Sequence, residues 1–62
     1  MKKQWWIISV SGYGTFAFKG TEAEAEEMRA HKANWEGGVG RKRLADPTNI
    51  NDRGEIAAEL RH

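Results

Sequence analysis

His31 stands four residues after Glu27, a spacing that puts both side chains on adjacent turns of one helix face, where a carboxylate and an imidazole could share a proton. The same spacing serves equally well as a helix-stabilising pair. No third group orients the imidazole, so no residue is assigned a catalytic role and the chain is read as noncatalytic. Ser9 and Ser11 alternate along an apolar stretch with no base at a triad-like spacing, and neither is marked as a nucleophile. His31 and His62 are the only histidines and there is no cysteine, which leaves no structural zinc pattern. No metal and no cofactor is expected. Gly12, Tyr13 and Gly14 lack the Gly-Lys-Ser/Thr that completes a phosphate loop, and turn construction accounts for them.

What remains is binding chemistry. Trp5, Ile7 and Tyr13 are large apolar side chains that a small core does not readily absorb, and they are the candidate anchors for a protein partner. Arg41, Lys42 and Arg43 form a short basic run able to position an acidic surface. The partner would be a larger protein or a second copy. The implied role is a protein-binding module, an accessory regulator or inhibitor of a larger assembly.

Residues 11–18 (SGYGTFAF) resemble the aromatic Gly-Phe/Tyr-Gly strand motif of RNA-recognition and cold-shock domains, with Tyr13 and Phe16 or Phe18 as the matching aromatics. The resemblance covers eight residues. Thr15 stands where that motif carries an aromatic and Ser11 where it carries a base, and the rest of the chain follows neither family's strand pattern. The resemblance implies an alternative function, single-stranded RNA or DNA binding. Trp5 and Tyr13 would stack bases while Lys2, Lys3, Arg41, Lys42 and Arg43 meet phosphates.

These residues need elements to hold them. Residues 5–18 are rich in aromatic and branched side chains and broken at 12–14, the pattern of a β-hairpin. A three-residue loop at 12–14 would pair Val10 with Phe16 and Ile8 with Phe18, setting Trp6, Ile8, Val10, Phe16 and Phe18 on one face. A two-residue loop would exchange the faces. Thr21 and Glu24 then form a capping box that starts a helix, with Ala25, Met28, Lys32 and Trp35 recurring on its inner face. Gly37, Gly38 and Gly40 make a connector at residues 37–40 that ends the helix.

Residues 39–45 are expected to form a weak third strand antiparallel to the first, giving an α+β fold with a ββαβ unit of strand order 2-1-3; an irregular arm is the competing arrangement. Asp52 and Glu55 make a second capping-box pattern, which places a short C-terminal helix within residues 51–62. That helix either docks on Trp5 and Ile7 or frays.

Composition sets the outer bounds. Sixty-two residues make one small domain, residues 1–62, with 39% hydrophobic and 31% charged side chains. Ten basic and nine acidic residues exclude a polyelectrolyte tail. The apolar run after Lys2 and Lys3 is too short for an export signal, and nothing approaches a membrane-spanning stretch, so no membrane association and a cytoplasmic location are expected.

Overall fold

A computed structural model describes residues 2–61, apart from the side chain of Glu36. The order of elements is β1 (Gln4–Val10), β2 (Gly14–Gly20), α1 (Glu22–Glu36), β3 (Gly40–Leu44) and α2 (Ile50–Leu60). The strands form one sheet in the order β2-β1-β3, with both pairings antiparallel. The expected α+β architecture and strand order are present. Gly40 belongs to β3, which leaves residues 37–39 as the connector.

The hairpin closes through a three-residue loop, but one residue earlier than expected. The Tyr13 N–H donates to the Val10 carbonyl oxygen at 3.0 Å, and Gly12 (φ 89°) takes the positive dihedral that the turn needs. Gly14, also at positive φ (116°), pairs with Val10 as the first residue of β2. Ile8 therefore faces Phe16 and Trp6 faces Phe18, a register two residues away from the expected one. Two residues is the repeat of a strand, so the slip leaves every side chain on its expected face.

α1 begins as the sequence specifies. The Thr21 hydroxyl accepts from the Glu24 N–H at 3.2 Å, and the Glu24 carboxylate accepts from the Thr21 N–H at 2.9 Å. It ends on Gly37 in the left-handed region, where the Gly37 and Gly38 N–H groups take up the carbonyls of Asn34 and Ala33. Ala25 and Ala33 are buried against the sheet and Met28 is half-buried; the contact cluster joins Ile8, Val10 and Ala33 to Phe16, Phe18 and Met28. Trp35 is the correction on this helix. At 100° per residue it lies about 80° round from Ala25, and it points into solvent at the end of the helix.

α2 also starts where the sequence did not place it. Its N-cap is Asn49, whose side-chain oxygen accepts from the Asn51 N–H at 2.9 Å. Asp46 prepares this start: its carboxylate accepts from the Thr48 N–H and hydroxyl at 2.9 and 2.7 Å, and its carbonyl accepts from the Asn49 N–H. Asp52 is thus the third helical residue rather than a cap, and it is buried to 1% exposure. The helix docks, packing on β2 and β1.

Strand alternation explains the layering. Trp6, Ile8 and Val10 point toward α1, while Ile7 and Ala17 point the other way and are closed over by α2. Each helix covers one face of the sheet.

Candidate interaction surface

The basic run does not act as one patch. In β3, Arg41 and Arg43 share the face of Ser9 and Ile7, whereas Lys42 turns to the α1 side with Ile8. There its ammonium lies 5.8 Å from the centroid of the Trp6 ring. Arg43 donates from both terminal guanidinium nitrogens to Asp52, at 2.6 Å each. This pair holds the Asp52 carboxyl below its ordinary range and raises the guanidinium of Arg43. Arg41 has neither a carboxylate nor an aromatic ring as partner among the described residues, and it is exposed.

The proposed anchors separate in the same way. Ile7 is 3% exposed beneath α2, so it is not a contact residue in this fold. The reason is that α2 docks rather than frays. Trp5 is half-buried beside Ala45, Pro47 and Ile56, with the Lys19 ammonium 5.9 Å from its ring. Tyr13 remains open, at 48% exposure. Its ring meets Phe16 edge-on, with centroids 5.5 Å apart, and the Lys32 ammonium sits 4.8 Å over it.

Lys2, Lys3 and Trp5 lie at the opposite end of β1 from Tyr13. Seven strand residues separate the two ends by roughly 20 Å. The base-stacking pair and the five cations of the nucleic-acid alternative therefore do not share one surface.

Two residues that sequence reasoning did not assign to a site stand beside Tyr13. The chain leaves α1 through Trp35, turns at Gly37, and passes the hairpin loop at Val39, whose carbonyl accepts the Ser11 N–H at 3.0 Å. Trp35 is 79% exposed, and Val39 is exposed as well. Tyr13, Trp35 and Val39 thus all lie on segments at the turn end of the sheet, Lys32 over the Tyr13 ring on the α1 side and Arg41 near Val39 on the face of Ser9. Neither cation has a carboxylate partner among the described residues. Arg29, by contrast, is paired with Glu26 at 2.6 Å and ties α1 to the Gly40 carbonyl at 3.1 Å. The sequence signal for Trp35 was its place in the last turn of the helix, two residues before the glycine that ends it.

The side chains of Glu27 and His31 border an open depression with Phe18, Glu24 and Met28, and no hydrogen bond joins them. Among the described residues no group of three or more His, Asp or Glu side chains could hold a metal ion. His62 lies outside the described residues. No helix of the described chain is long and apolar enough to cross a membrane. No family model matches the chain, nor does any curated protein or solved structure.

Proposed function

We propose that the chain is a small noncatalytic protein-binding module, an accessory regulator or inhibitor of a larger assembly, that meets its partner with the turn end of the sheet. The observation that carries this reading is Trp35, an indole left 79% exposed where Tyr13 and Val39 are also open. Isolated exposed apolar residues are ordinary; three on the segments at one end of the domain, one of them an indole, offer a partner more apolar surface there than a single residue would. Trp and Tyr concentrate interface energy when they enter a desolvated pocket. Lys32 and Arg41 favour a partner with an acidic rim.

The test is recovery of complexes from native extract by mass spectrometry, using the unaltered chain, Trp35→Ala and Tyr13→Ala, with nuclease treatment and a salt series in parallel. A stoichiometric protein that resists nuclease and is lost with either variant supports the module. Loss of every complex on nuclease treatment, with direct saturable binding of single-stranded RNA or DNA by the isolated chain, would replace it with the nucleic-acid alternative. Concentration-dependent sizing identifies a second copy as the partner.

A further inference from the structure

α2 meets the sheet through a bidentate ion pair as well as through the Ile7 and Ala17 side chains it covers. Its one buried residue is Asp52, and its two largest aliphatic termini, Ile50 and Leu60, are exposed. Ile56 is half-buried near Trp5. The Asp52 carboxylate accepts both terminal guanidinium nitrogens of Arg43 at 2.6 Å and the Asp46 N–H at 2.8 Å, so three donors from outside the helix converge on one side chain. Such a contact is close to all-or-none. A bidentate fork loses its geometry after a displacement of about 1 Å, whereas an apolar interface can slide and remain in contact.

The other side of the sheet stands without α2. The cluster of Ile8, Val10, Ala33, Phe16, Phe18 and Met28 draws only on β1, β2 and α1. Residues 45–49 join β3 to α2 outside any regular element and supply the pivot.

We propose that α2 is a strap: it opens as a unit about residues 45–49 when the Arg43 and Asp52 contact breaks, uncovering Ile7 and Ala17, while β1, β2, α1 and β3 stay folded. Opening of one element below the free energy of global unfolding is a general property of folded chains, and it falls on elements with few buried apolar contacts. Here the element is α2. This inference is independent of the turn-end surface.

The absence of native cysteine makes the test direct. Ala17→Cys places a single thiol under the strap and Ala25→Cys places one on the sheet-facing side of α1, at positions 2% and 0% exposed. Each is reacted with dithiobis-nitrobenzoate, with and without Asp52→Asn. The strap predicts that Asp52→Asn accelerates labelling at position 17 by about tenfold and at position 25 by less than about threefold. Arg43→Lys, which keeps the charge but not the fork, should fall between.

Equal acceleration at both positions means that α2 and the rest unfold together, and no acceleration at either means that the ion pair is not the latch. Either result overturns the proposal. Hydrogen exchange on the cysteine-free chain is an independent reading. Amides of α2 should lose protection in Asp52→Asn while those of β1 keep it, and retention of both or loss of both refutes the strap.

Discussion

The indole N–H of Trp6 donates to the carbonyl oxygen of Gly20, 3.1 Å away across the hairpin, and so joins the first residues of β1 to the last of β2. Trp6 is buried against α1, and a buried indole requires a partner for its one polar atom. Gly20 has no room to spare. A Cβ there would come 2.7 Å from the Phe18 ring and 3.1 Å from the Glu24 carboxylate that closes the α1 cap. Trp6→Phe removes the donor and with it this bond across the hairpin, an expected loss of about 0.5–1.5 kcal/mol. Gly20→Ala forces the Phe18 ring and the capping glutamate away from the new methyl and should cost about 1–3 kcal/mol. Urea unfolding followed by far-UV circular dichroism measures both, and a change within error in either variant contradicts this account of the hairpin end.

Glycine to alanine should have opposite signs in the two helices. Gly37 sits at φ 68° at the end of α1 with nothing within 4 Å of a Cβ, so the only effect of alanine is left-handed backbone strain, about 1 kcal/mol destabilising. Gly54 lies inside α2, also with open space around it and without a positive φ. There alanine gains helix propensity and should stabilise α2 by about 0.5–1 kcal/mol. Thermal melts compare the two; the same sign in both would mean that one of the backbone assignments is wrong.

Acid should weaken the fold, and Asp52 should account for part of the effect. Four carboxyls sit below their ordinary values. Glu24 is lowered by the backbone N–H of Thr21, Glu26 by Arg29, Asp46 by the Thr48 side chain and Asp52 by Arg43. A carboxyl depressed in the folded chain contributes stability above its unfolded value, and that stability is lost as pH falls through the folded value. Stability should therefore hold from neutrality down to roughly pH 4.5 and decline below it. Asp52→Asn should be less stable than the unaltered chain at pH 7 and lose less on acidification, because one linked proton is gone. Urea midpoints at stepped pH test this, and parallel curves for the two proteins would contradict it.

The residues that announced themselves in the sequence were those whose signals are local. Thr21 and Glu24 specified a cap by their spacing alone, and the alternation from Trp6 to Val10 set which of these residues share a face; the three-residue loop, one position earlier than expected, keeps Phe16 and Phe18 with them, where a two-residue loop would have exchanged the faces. Asp52 was misread because the same spacing to Glu55 fits a cap, and nothing nearby in sequence shows that Arg43, nine residues earlier, is aimed at it. The competing cap at Asn49 won because Asp46 had already organised the turn leading into it. Trp35 was misread for a geometric reason: at 100° per residue it lies about 80° from Ala25 and about 160° from Ala33, the two buried residues of α1, so it leaves the stripe that meets the sheet. The anchors were legible as residue types, and their grouping was set by tertiary contacts that the sequence pattern does not encode.

That grouping gives the turn end its sharpest prediction, because Trp35 and Tyr13 should respond differently to truncation. Trp35 is largely in solvent, so Trp35→Ala removes little packing and should change stability by no more than about 0.5 kcal/mol. Tyr13 contacts both Phe16 and Lys32, and Tyr13→Ala forfeits an edge-to-face pair and a cation–π contact, an expected cost of about 1–2 kcal/mol. A partner held at this end should be lost with both variants, even though only one of them perturbs the fold. Binding and stability must therefore be measured on the same samples, by titration with the captured partner and by urea unfolding. Loss of stability in Trp35→Ala comparable to that in Tyr13→Ala would show that the indole supports the fold, and the exposed tryptophan would no longer mark a surface kept for contact.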